Sequence, residues 1–139
     1  MIQRTLAIIK GNSTKGDRTD WIQIINIYQD AGLEIKRARI LAPMTLHMAR
    51  ELCKEHKGKG DYYRHLIRFY VWKNISIALW IEGENAIKKV REINGATDPK
   101  EAKVGTIRYL FGKSKRQNSA HASADEESSD RELPIFFPN

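Results

Sequence analysis

Cysteine is nearly missing: Cys53 stands alone in 139 residues. That excludes an internal disulfide and a multi-cysteine metal site, and it favours a reducing, cytoplasmic setting. Long apolar runs are missing too. None approaches the roughly 18 residues that a membrane helix needs. Met1-Ile2-Gln3-Arg4-Thr5 leads straight into a strand-like segment and lacks the form of a secretory signal. There is no Gly-x4-Gly-Lys-Ser/Thr loop and no Gly-x-Gly-x-x-Gly turn, so a conventional P-loop or Rossmann site is unsupported. Internal repeats are absent. Negative charge is in deficit, with 17 Asp and Glu against 24 Lys and Arg, a net charge of +7. Anionic partners follow. Nucleic acid and nucleotide phosphates both qualify, and composition does not separate them.

What is present is ordinary for a globular chain. Apolar residues make up 41% and charged residues 29%, and the length fits one domain over 1–139 with a real core. Thr5-Leu6-Ala7-Ile8-Ile9 reads as a buried strand ending at Lys10. Gly11 to Asp17 reads as a loop. Asp20 can cap a helix running to about Ala31, with Trp21, Ile24, Ile25 and Tyr28 on one face and Gly32 as its stop. Leu33 to Leu41 reads as extended. Thr45 caps a second helix through Leu46, Ala49, Leu52 and Cys53, and Tyr62, Leu66, Phe69 and Tyr70 give a third. Ile75 to Ile81 alternates as a strand, and Glu82-Gly83 reads as a turn. Ala86, Ile87 and Val90 form a helix ending at Asn94-Gly95. Residues 96–117 show little periodicity and read as a long, functional loop. A short strand near Asn118–Ala120 and a helix near Asp125–Leu133 complete the chain. Strands alternating with helices predict an α+β sandwich, and a ferredoxin-like four-stranded antiparallel sheet is the simplest solution.

Two constellations could carry chemistry. His47, His56 and His65 sit on charged helices without metal-site company. His121 differs: Ala120, Ala122 and Ser123 leave room for a large ligand beside its imidazole. Glu132 lies eleven positions on and could return on a helix to orient the ring. The second constellation is cationic. Lys10 at a strand end and Arg91 and Arg108 on converging segments could clamp a polyphosphate, arginine by bidentate contacts and lysine as a point charge. Tyr62 or Tyr63 could stack on a base. Cys53 reads as a small buried hydrophobe.

Together these pieces resemble nucleoside diphosphate kinase over nearly the whole chain. The likeness runs through Arg4 to Lys10, Glu55-His56-Lys57-Gly58-Lys59, Tyr62-Tyr63 with Leu66, Trp80-Ile81-Glu82-Gly83 and Gly95-Ala96-Thr97-Asp98-Pro99. It ends in Gly105-Thr106-Ile107-Arg108 and Asn118-Ser119-Ala120-His121-Ala122-Ser123, the most specific part. The resemblance implies a ferredoxin-like core and a ping-pong transfer of the γ-phosphate from a nucleoside triphosphate to a diphosphate through phosphorylated His121. It implies that Arg91, Thr97 and Arg108 hold the phosphates, bridged by Mg²⁺ without a direct protein ligand. Lys10 and Asn118 would bind the ribose hydroxyl region, with Lys10 also near the transferring phosphoryl. Tyr62 would sit on the base beside Leu66. Glu132 would accept a hydrogen bond from the second imidazole nitrogen, and Ser123 would support that carboxylate. A homo-oligomer, tetramer or hexamer, is also implied.

The chain departs from the family pattern at Gly11-Asn12, at Cys53 in the place of an active-site tyrosine, at Tyr109-Leu110-Phe111 and at Ala124. None of these is the nucleophile or a phosphate clamp. With the net charge of +7, they motivate an alternative: a nucleotide- or nucleic-acid-binding member of the same fold with weak or no kinase activity.

Overall fold

Thr5 to Ile9 are all buried, so both faces of this strand need apolar or small residues and no alternation shows in the sequence. The computed structural model describes residues 1–10, 19–72, 74–112 and 120–138. In it the first strand, β1 (Ile2–Ile9), begins three residues before the apolar run that marks it. The other strands are β2 (Glu34–Leu41), β3 (Ser76–Glu84) and β4 (Ala120–Ala122). They form a four-stranded sheet in the order β2-β3-β1-β4, every pairing antiparallel.

Helices cover both faces. Leu6 and Ile8 of β1 pack with residues of α2 (Leu46–Leu52), α3 (Asp61–Val71) and α6 (Glu126–Phe136). Ala7 and Ile9 point the other way, into a cluster with α1 (Thr19–Asp30), α4 (Ala86–Asn94) and α5 (Ile107–Phe111). Successive side chains of a strand alternate between faces, which is how one apolar run supplies both cores. This is the expected ferredoxin-like α+β sandwich. No helix among the described residues is long and apolar enough to cross a membrane.

Local chemistry places the helix ends. Thr45 Oγ1 accepts from Met48 N at 3.1 Å and caps α2, as expected. Asp125 accepts from Ser128 N at 2.8 Å, so it is the cap of α6 and not its first residue. Glu126 and Glu127 then sit in the first turn, where the helix dipole favours them.

Four expectations are corrected. Glu82-Gly83 is not a turn: Gly83 pairs with Gln3, and β3 runs on to Glu84 because β1 holds it extended. The segment read as a structureless loop carries a 3-10 turn, Pro99–Glu101, and α5, capped by Thr106. His121 lies within β4, paired with Ile8, and does not follow a strand. Helix α6 continues beyond Leu133 through Pro134, because Phe136 and Phe137 are buried in the core. The expected loop at Gly11 to Asp17 lies outside the described residues.

Gly95 ends α4 at φ +87, and an added Cβ would meet Thr106 Oγ1 at 2.6 Å. Glycine therefore lets the chain leave α4 directly against the cap of α5. Behind it, the Tyr28 hydroxyl donates to buried Asn94 Oδ1 at 2.5 Å and ties α1 to the end of α4. Tyr28→Phe would strand that amide oxygen, and the loss of stability should be about 1–3 kcal/mol, read by urea denaturation.

Candidate active site

Register and alternation build the site. Ile8 faces His121 across the β1–β4 ladder, and Ser123 N donates to Leu6 O at 3.1 Å, continuing the pairing. His121 and Ser123 are two apart, so both point to the face that α6 covers. There Glu132 waits, 2% exposed. His121 Nε2 lies 2.9 Å from Glu132 Oε1, and Ser123 Oγ donates to the same oxygen at 2.9 Å. Arg131 Nη2 donates to Glu132 Oε2 at 3.3 Å. A carboxylate held by these donors accepts, so His121 Nε2 carries the ring proton and Nδ1 keeps its lone pair. The His121 side chain is 22% exposed, open to a ligand on that side.

His121 borders a cavity of about 810 Å³, which suits a ligand of nucleotide size. Lys10, Tyr62, Leu66, Arg91, Thr97, Arg108 and Glu132 line it as well. Thus, among the residues expected from sequence, the structure brings all of these together. Ser123 is fully buried behind them. Asn118 lies outside the described residues.

The cations are fixed in different ways. Arg108 Nη1 donates to Gly95 O at 2.6 Å and Nη2 to Ala120 O at 2.7 Å, while its Nε has no partner among the described residues. Arg91 Nη1 donates to Ala124 O at 2.9 Å. Lys10 is 4% exposed. Burial, and then the neighbouring Arg108 guanidinium, push its ammonium down to about 7. Among the described residues none of the three pairs with a carboxylate. Buried Lys10, half-buried Arg108 and exposed Arg91 face one cavity without a carboxylate paired to any of them among the described residues, which offers an anion a place there, although Glu55, Glu92, Asp125 and Glu126 also line its wall. An imidazole nitrogen with a free lone pair beside it can attack an electrophile that carries several negative oxygens.

Sequence reasoning missed three residues here. His56, read as a bland helix histidine, lines the cavity and accepts from Lys59 Nζ at 3.0 Å through Nδ1. Burial and Lys59 hold its pKa below the usual range. Its ring meets Tyr62 edge-on at 5.4 Å. Arg131 also donates to Glu51 O at 2.6 Å and pairs with Glu55, so it locks α6 to α2; adjacency to Glu132 was its signal. Tyr70 lines the cavity from α3, although its spacing reads as core. Cys53 is buried as expected and also lines the cavity, its thiol pushed up to about 11 by burial. No group of three His, Cys, Asp or Glu side chains converges among the described residues.

Comparison with known proteins places this geometry. The family model "Nucleoside diphosphate kinase" matches residues 3–139. The nucleoside diphosphate kinase of Glaesserella parasuis is 40% identical, covering 99% of this chain and 96% of the relative. That of Clostridium perfringens is 36% identical, covering 99% and 92%. The crystal structure of the Aquifex aeolicus enzyme superposes with a TM-score of 0.91 at 32% identity, covering 100% and 97% of the two chains. The Borrelia burgdorferi enzyme, solved as a transition state mimic with bound vanadate and ADP, gives 0.89 at 28%, covering 99% and 88%. The chain therefore belongs to the nucleoside diphosphate kinase family.

Proposed function

We propose that this cavity performs the family's reaction as a two-step relay through His121. Nδ1 attacks the γ-phosphorus of a nucleoside triphosphate; the N–P bond forms as the bond to the β,γ-bridging oxygen breaks, and the diphosphate leaves. A terminal phosphate oxygen of a second diphosphate then attacks the phosphorus, and the histidine is restored. The covalent relay lets one site serve both nucleotides in turn. The observation that carries this reading is the 2.9 Å contact of His121 Nε2 with Glu132 at the wall of the cavity that Lys10, Arg91 and Arg108 also line.

Roles follow from chemistry. Glu132, steadied by Ser123, holds the tautomer that leaves Nδ1 free. Arg91, Thr97 and Arg108 bind the phosphates, with Arg108 oriented by the carbonyls of Gly95 and Ala120. Lys10 serves the transferring phosphoryl and the ribose hydroxyl region, where the resemblance also assigns Asn118. Tyr62 takes the base on its ring face beside Leu66, a contact that tolerates any base. A diphosphate beside a phosphoryl mimic, the pair bound by the Borrelia relative, suits this arrangement. Mg²⁺ fits as a passenger on the nucleotide phosphates, since the carboxylates of the cavity wall, Glu55, Glu92, Asp125, Glu126 and Glu132, do not converge as a ligand group among the described residues. Bound there, it would neutralise developing charge on the phosphate oxygens.

Residues 1–139 act in this reading as one domain of a cytoplasmic homo-oligomer, tetramer or hexamer. Exposed Val104, Tyr109 and Leu110 support a contact between copies. Sedimentation equilibrium should give four or six times the 16.0 kDa of one chain, and a monomer would remove the support.

Incubation with ATP radiolabelled on its γ-phosphate should label the protein with an acid-labile group, absent in His121→Ala. An unlabelled wild type would instead favour the alternative of a binding protein without transfer. Glu132→Gln should slow transfer by about 10- to 100-fold, the worth of one charge-assisted hydrogen bond.

Lys10 gives a signed pH effect. Its pKa of about 7 in the free protein means that it is mostly neutral at pH 8. A bound polyphosphate favours the charged form and raises that pKa. Binding of ADP should take up close to one proton at pH 8 and almost none at pH 6. Calorimetry in buffers of different ionisation enthalpy measures this, and Lys10→Met should abolish the uptake.

A further inference from the structure

The relay leaves one buried aromatic of the cavity without a task. Tyr70 is 2% exposed yet lines the cavity. Lys10 Nζ stands 5.7 Å from the centroid of its ring, inside the range of about 6 Å for a cation held over an aromatic face. Phe69 meets the Tyr70 ring edge-on at 5.8 Å and 83°, which braces it.

Lys10 has need of such a surface. It is 4% exposed, and among the described residues no carboxylate pairs with it. An ammonium taken out of water without compensation loses its proton. The groups around it do little to help. Arg108 on α5 and His56 on the 3-10 turn Lys54–His56 bring charge of the same sign or none. The Cys53 thiol at the end of α2 stays protonated at neutral pH because burial raises it. Glu132 on α6 is committed to His121, Ser123 and Arg131. His121 itself is needed neutral. The electron-rich surface that Lys10 meets is the face of Tyr70.

We propose that Tyr70 is a positioning residue whose ring face favours the charged form of Lys10 over what burial alone would leave and aims it at the phosphoryl group held in the cavity. The proposal rests on the phosphate-transfer reading for its ligand. It also gives α3 a double duty. Leu66 and Tyr70 are one turn apart on the same face, so one helix sets both the base pocket and the phosphoryl cation.

The test reads Lys10 directly. An NMR titration of its side chain, assigned by its loss in Lys10→Ala, is run without nucleotide on wild type, Tyr70→Phe and Tyr70→Leu. The pH profile of kcat/KM for phosphate transfer is measured on the same proteins. Tyr70→Phe keeps the ring and should leave both curves in place. Tyr70→Leu should lower the Lys10 midpoint by about one pH unit, a tenfold change in ionisation, and shift the alkaline limb of kcat/KM by the same amount. An unchanged or raised midpoint in a folded Tyr70→Leu protein overturns the proposal, whatever its activity; Tyr70→Met decides by the same readout if the leucine variant does not fold. A wild type that shows the NMR shift but transfers no phosphate upholds the Lys10–Tyr70 pairing and refutes the transfer reading instead.

Discussion

A carboxylate with 2% of its surface exposed is tolerable only where hydrogen bonds replace its water. Glu132 meets that demand with His121, Ser123 and Arg131, and much of the molecule is arranged so that it can. Leu133, Phe136 and Phe137 anchor α6 in the core beneath it. Ser129 Oγ donates to Arg4 O at 2.7 Å and pins the helix to β1. A slip of one residue would turn Glu132 about 100° away from the imidazole. The aim of His121 thus depends on packing contributed by the end of the chain, and the apolar residues after the acidic segment have their explanation there.

The opposite sign is handled differently. Lys10, Arg91 and Arg108 are held by backbone carbonyls, by a ring or by burial, and, among the described residues, not by carboxylates. Carbonyls orient a guanidinium without neutralising it, so the field of these groups stays directed into the cavity. Gly95 makes this possible twice: its oxygen accepts from Arg108, and its lack of a Cβ lets Thr106 cap the helix that carries Arg108. A carboxylate partner would have stabilised each cation more and left less for a ligand.

Features written locally were legible in the sequence. Thr45 caps α2 through its own neighbour, and His121, Ser123 and Glu132 form a set once a helix is drawn between them. What escaped was decided across the chain. Glu82-Gly83 has the residues of a turn, and only pairing with β1 keeps it extended. Short α5 hides among Lys, Gly and Pro because five residues cannot display a period. Tyr70 and Leu66 share the spacing of a core face, and no pattern separates a side chain packed against protein from one that packs against a lysine. Placement of the site residues was therefore readable, while their mutual support was not.

The free protein holds its site at some expense to the fold. Lys10 has a pKa of about 7 when folded, below its ordinary ~10.4, so the unfolded chain binds more protons across that window. The Lys10 term accordingly strengthens the fold as pH rises from about 7 towards 10 and weighs against it in full below 7. An anionic ligand reverses the balance, because it supplies the charge that no carboxylate among the described residues provides. At a ligand concentration of 100 times Kd the gain is about 2.7 kcal/mol, comparable with the worth of a buried side chain. The buried lysine that makes the free protein less stable is then the group that an anionic substrate stabilises, and its lack of a carboxylate partner among the described residues accounts for both.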